Sequence, residues 1–146
     1  MEIPIQPDAI AVIKGSEAAP RLRGTVKFYQ RCGSVLIVVC VCGLPENSNG
    51  FFALHVHEGG DCSGEAFSDT GSHYNPDSLS HSNHPGDLPP ILSCKGRAYL
   101  AVQTDRFCLR EILGRTIVIH GGSDDFRSQP AGNPGMKIAC GVICRA

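Results

Sequence analysis

The 146-residue chain has no tryptophan and only two methionines, and aromatic residues make up 6% of it. It also lacks any excess of charge. Thirteen Lys and Arg stand against fourteen Asp and Glu, for a formal net charge of −1. That balance argues against a bulk electrostatic partner such as nucleic acid or an anionic membrane. No window holds 18 consecutive apolar residues, so the sequence predicts no membrane-spanning helix. A disordered chain is excluded from the other side, since 42% of residues are apolar and 18% charged. The start, Met1-Glu2-Ile3-Pro4-Ile5-Gln6-Pro7-Asp8, is acidic and broken by proline. A secretory leader is basic and then apolar. The expectation is therefore a cytoplasmic chain, or one whose leader has been removed.

Glycine and proline are abundant, at 17 and 10 residues, which predicts many turns. The length suits one domain covering 1–146. Apolar runs are short and bounded by turn residues, the pattern of strands. We expect strands near 8–14, 22–31, 34–42, 50–57, 90–94, 97–103, 115–120 and 138–144. Residues 106–113 are compatible with one helical turn. Eight short strands favour a sandwich or closed barrel. Two stretches do not fit strands: 58–89 is crowded with Gly, Ser, Asp, His and Pro, and 121–137 is similar. Loops that long in a compact domain tend to carry function.

Eight cysteines are present. Several lie inside apolar runs, as in Val38-Val39-Cys40-Val41-Cys42. The expectation is that most are buried free thiols packing as small hydrophobes. Cys140-Gly-Val-Ile-Cys144 lacks the second pair a zinc finger needs.

All six histidines fall between positions 55 and 120. His55 and His57, two apart at the end of an apolar run, project from one face of a strand and can grip one metal ion. His120 ends another such run. If those strand ends are neighbours, three imidazoles converge, a donor set suited to copper or zinc. His81, His84 and Asp87, spaced by three around Pro85-Gly86, can supply three zinc ligands. His73 lies between the groups. A hydrolase run of the form His-x-His-x-Asp-His is broken here, because Glu58-Gly59-Gly60-Asp61-Cys62 follows His57.

These motifs resemble the copper,zinc superoxide dismutases, most closely their bacterial branch. The resemblance rests on His55-Val56-His57-Glu58-Gly59-Gly60-Asp61-Cys62, Gly71-Ser72-His73-Tyr74-Asn75-Pro76, His81, and His84-Pro85-Gly86-Asp87-Leu88-Pro89. It continues through Gly114–His120, Asp124-Asp125, Gln129–Gly135 and Ala139-Cys140-Gly141-Val142-Ile143. It implies an all-β fold, an eight-stranded Greek-key β-barrel of sandwich type with two long functional loops. It implies copper held by His55, His57, His73 and His120, and zinc held by His73, His81, His84 and Asp87. His73 would bridge the metals and carry a proton. Asp124 resembles the carboxylate that links a copper histidine to a zinc histidine. Cys62 and Cys140 would form the family disulfide. The implied reaction is disproportionation of superoxide anion to dioxygen and hydrogen peroxide. The alternative is a metal-binding relative without turnover. Family members are often dimers, so a homodimer is one implied assembly.

Two departures stand out. Where the family usually has arginine, two residues before Ala139-Cys140, this chain has Lys137, which keeps the charge but not the planar fork. Lys137 would guide the anion, with a weaker rate expected than for arginine. Only Ser82 and Asn83 separate His81 from His84, a shorter stretch than the family usually has.

Overall fold

A computed structural model describes residues 2–146. Eight strands form one antiparallel sheet: β1 (Ala9–Gly15), β2 (Arg23–Arg31), β3 (Ser34–Cys42), β4 (Phe51–His57), β5 (Asp87–Leu92), β6 (Ala98–Thr104), β7 (Thr116–His120) and β8 (Lys137–Arg145). The spatial order is β5-β4-β7-β8-β1-β2-β3-β6. The edge strands β5 and β6 come against each other without a ladder, so the sheet curls into a nearly closed barrel. Closure removes most of the exposed edge that an open sheet would offer. One short helix, α1 (Leu109–Ile112), lies where a helical turn was expected.

Strand positions follow the alternation in the sequence. In β3 the inward residues Val35, Ile37, Val39 and Val41 join the core, as do Val26 and Phe28 of β2. The β5 expectation is corrected. The strand spans 87–92 rather than 90–94 and so takes in Asp87. Pro89 and Pro90 obscure it, yet β5 pairs only with β4, and prolines are tolerated on an edge strand.

The cysteine expectation is also overturned. Six cysteines are free, but Cys32, Cys40, Cys94, Cys108 and Cys144 are exposed and Cys42 is half-buried. Val35, Val39 and Val41 of β3 occupy the inward parity, which turns Cys40 and Cys42 outward with Val38. An apolar run does not reveal parity when both faces carry apolar residues.

The strands β4 and β7 are buried on both sides. Phe52, Leu54, Val56, Ile117 and Ile119 point into the barrel. His55, His57 and His120 have the opposite parity, outside the barrel wall and beneath the loops 58–86 and 121–136. The disulfide Cys62–Cys140 pins the first loop to β8 across 78 residues of sequence. In the chain-entropy account such a closure adds about 4–5 kcal/mol. Phe67 and Val118 pack with the two bridged cysteines.

Candidate metal centre

The ladder between β4 and β7 places His55 opposite Val118 and His57 opposite Thr116. His120, two residues past Val118, therefore shares their face. His73 joins them through a bridge to His57. The ligand atoms of His55, His57, His73 and His120 lie within 4.8 Å of one another, as do those of His73, His81, His84 and Asp87. His73 belongs to both sets. The shortened stretch between His81 and His84 does not prevent convergence. All seven residues are buried.

The hydrogen bonds show which nitrogens are left for metals. His57 Nδ1 is 2.8 Å from the Gly71 carbonyl and His120 Nδ1 is 3.4 Å from the Gly135 carbonyl. A carbonyl only accepts, so both Nδ1 atoms carry the hydrogen. In the neutral rings each Nε2 then presents a lone pair, and these two atoms face each other at 3.2 Å. Two acceptors at that distance repel unless a cation joins them. Three further buried nitrogens make no hydrogen bond: His55 Nδ1, His73 Nε2 and His81 Nδ1. His81 Nδ1 comes within 3.1 Å of Asp87 Oδ2 but not in hydrogen-bonding alignment. Orphaned buried nitrogens are costly. Here each points into one of the two ligand sets, so the residues fit copper on one side and zinc on the other.

Burial keeps the imidazoles of His55, His57 and His120 neutral. It pushes the His57 pKa down to about 2 and the His120 pKa down to about 3, with neighbouring histidines and Lys137 adding to the effect. His55 and His84 are lowered for the same first reason. Burial would raise the Asp87 carboxyl, but the hydrogen bond from His73 and the nearby His81 and His84 outweigh it, and its pKa falls. Neutral imidazoles and an ionised carboxylate are the forms that bind metals.

Asp124 is buried between the two sets. Its Oδ2 accepts from His55 Nε2 and its Oδ1 from His81 Nε2, each at 2.7 Å. These bonds, with one from the Phe126 N–H, outweigh burial and lower its pKa. His55, His81 and Asp124 also cluster closely enough to suggest a third site. The two Nε2 atoms are donors to the carboxylate, so this group orients ligands and is not itself a site. Two supports were not legible beforehand. Gln129 clasps the His81 backbone, accepting from its N–H at 2.7 Å and donating to its carbonyl at 2.8 Å. Gly132 has φ +80°, and a Cβ there would lie 2.0 Å from Asp124 Oδ1 and 2.5 Å from His81 Nε2. Both residues lay within a recognised motif, but only contacts assign their roles.

A cavity of about 690 Å³ opens beside the copper-side set, lined by His57, His73, His120, Gly71, Pro134 and Lys137, among others. Lys137 Nζ donates to Thr70 Oγ1 at 2.8 Å, to the Gly71 carbonyl at 3.0 Å and to the Phe67 carbonyl at 3.4 Å. Its partial burial lowers its pKa.

Comparison with known proteins agrees with this geometry. The family described as copper/zinc superoxide dismutase (SODC) matches residues 22–143. Superoxide dismutase [Cu-Zn] 2 of Aquifex aeolicus is 35% identical over 135 residues, covering 82% of this chain and 78% of that protein. The superoxide dismutase [Cu-Zn] of Paramecium bursaria Chlorella virus 1 is 36% identical over 152 residues, covering 92% and 76%. The copper chaperone for superoxide dismutase of Rattus norvegicus is 32% identical, and the alignment covers 94% of this chain and 53% of the chaperone. With both ligand sets intact and joined through His73, the chain belongs to the copper/zinc superoxide dismutase family.

Proposed function

We propose that the protein disproportionates superoxide at the copper-side histidines, with zinc on the other side of His73. The observation that carries this reading is the facing pair of His57 and His120 Nε2 lone pairs beside the orphaned His55 Nδ1 and His73 Nε2. Copper, when bound, supplies one-electron exchange, so that one superoxide is oxidised to dioxygen and a second is reduced to hydrogen peroxide with two protons. Zinc has no redox chemistry of its own.

The chain's own residues supply the rest. Lys137 lines the cavity beside His57 and His120 and offers the positive charge that attracts an anion there. Its three ammonium hydrogens already have three acceptors. To meet superoxide it releases the longest of these bonds, to Phe67. An arginine fork has donors to spare, which accounts for the weaker rate expected with lysine. His73 Nε2 is the atom at which a proton can be held for the forming peroxide, while its Nδ1 stays near Asp87 Oδ1 at 2.8 Å. Asp124 holds the copper-side and zinc-side rings in one orientation. Within the family, the two Aquifex relatives support a bacterial-type assignment. A homodimer is part of the proposal only by analogy with the family.

The test is superoxide decay by protein loaded with copper and zinc, beside His120→Ala. Fast decay that vanishes in the variant supports the reading. Decay no faster than buffer, with one copper and one zinc bound per chain, leaves a metal-binding barrel without turnover and overturns it.

A further inference from the structure

The outer wall made by β1, β2, β3 and β6 shares no residue with either ligand set, and it carries an arrangement that the dismutase reading does not use. The register sets Lys14 opposite Arg23 and Arg23 opposite Cys42. Val41 pairs with Ala98, so Arg97 stands next in line beside Cys42, and a bridge joins Arg97 to Cys94. The flanking Ile13, Val41 and Ala98 are buried, so the row itself faces out. It reads Lys14, Arg23, Cys42, Arg97, Cys94 across the wall. Packing three cations into one row of a sheet is unfavourable. No carboxylate offsets it: none lines the groove over this row, the ion pairs among the described residues are all between His and Asp, and the Arg23 guanidinium donates only a long bond of 3.4 Å to the Arg21 carbonyl. The groove measures about 780 Å³, a size that holds a small peptide. A neighbouring groove shares Arg23, Cys42 and Arg97 and adds Arg21 and Lys95.

A row of cations without a carboxylate calls for an anion, and the half-buried Cys42, set by the register between Arg23 and Arg97, calls for one that reacts with sulfur. We propose that this groove binds an anionic low-molecular-weight disulfide of the glutathione class, and that Cys42 forms a mixed disulfide with it. The Cys42 thiol gives up its proton and its sulfur attacks one sulfur of the bound disulfide. The new S–S bond forms as the old one breaks, and the departing half leaves as a thiolate that takes up the proton. The Cys42 sulfur is oxidised and the departing sulfur reduced, so no other oxidant is needed. Cys42 is the reacting thiol because it alone has an arginine on each side. Cys94 has Arg97 on one side, and Cys40 lies in the next row between Thr25 and Tyr99.

The test treats the metal-loaded protein with glutathione disulfide or with the cationic disulfide cystamine, and maps adducts by mass spectrometry. The exposed Cys108 and Cys144 serve as references within the same chain. The expected result is that Cys42 prefers glutathione disulfide over cystamine about tenfold more strongly than the references do. This preference should shrink in about 0.5 M salt, where charges are screened, and in Arg23→Gln and Arg97→Gln. Superoxide decay and the circular dichroism of both variants should match the parent. Adducts on Cys42 that form no faster than on Cys144, or an equal preference at all three thiols, overturn the proposal.

Discussion

Three of the four copper-side histidines stand on or at the end of hydrogen-bonded strands, whereas His81 and His84 of the zinc side stand in a loop without a ladder. The β4–β7 register alone brings His55, His57 and His120 to one face. Carbonyls of Gly71 and Gly135 then orient two of those rings. The zinc side has no such scaffold. Its loop is held by Asp124, by the Gln129 clasp on His81 and by the close approach at Gly132. Asp87 alone of its ligands begins a strand. Strand-borne ligands are thus set by barrel folding, while loop-borne ligands depend on a few side chains and on the metal itself. The two sides meet at His73 and Asp124, so damage to one is felt by the other, but unequally.

Removing Asp124 should break this comparison most sharply. Asp124→Ala frees both His55 and His81, and the loss of such a supporting carboxylate costs about 10–100-fold in metal affinity. Chelator competition should show the larger loss for zinc, because His57 and His120 keep their carbonyl partners. An equal loss on both sides would show that the ladder does not hold the copper ligands by itself. Gly132→Ala tests the same point by crowding rather than deletion. A Cβ there meets Asp124 and His81, so zinc affinity should fall while binding of copper at His57 and His120 is largely kept.

Lys137 sharpens the copper side. Lys137→Glu should lower kcat/KM for superoxide by about tenfold or more, since the attracting charge reverses. Lys137→Arg should raise it. The effect should weaken as salt is added, and unchanged rates in both variants would remove Lys137 from the mechanism.

The smallest effect concerns acid stability of the metal-free protein. His57 and His120 have folded pKa values of about 2 and about 3, below the ordinary 6.5. Between those values the unfolded chain binds more protons than the folded one, so stability present above about pH 6.5 is lost as pH falls. Each group contributes up to about 1.4 kcal/mol per pH unit in that window. The Asp87 and Asp124 carboxyls are lowered too, so their contributions are lost at still lower pH. Thermal melts of metal-free protein should therefore move down from pH 7 to pH 5. Metal-loaded protein should resist better, since metals bound to the folded state oppose protonation.

Much of this was legible in the chain. The eight strands showed in short apolar runs punctuated by turns, with β5 misplaced because Pro89 and Pro90 hide an edge strand. The two ligand sets showed because imidazoles two apart on a strand, or three apart in a loop, have few other uses when six of them crowd into one stretch. The cysteines misled, since Val38-Val39-Cys40-Val41-Cys42 is apolar at both parities and only the barrel's curvature decides which parity is inside. The Gln129 clasp and the Gly132 contact join residues some fifty positions from His81 in sequence, a relation no local pattern records.

Local chemistry in the sequence determined the kinds of donor residue and the β class, because ligand type and strand periodicity are properties of neighbouring residues, whereas the Cys62–Cys140 pairing was implied only by the family resemblance. The tertiary structure decided what those donors do together. It made His73 common to both sets, turned two lone pairs towards each other, wedged Asp124 between the rings and lined up Lys14, Arg23, Cys42 and Arg97 on one wall. Each of these follows from strand register and loop closure, which act between residues far apart in the chain.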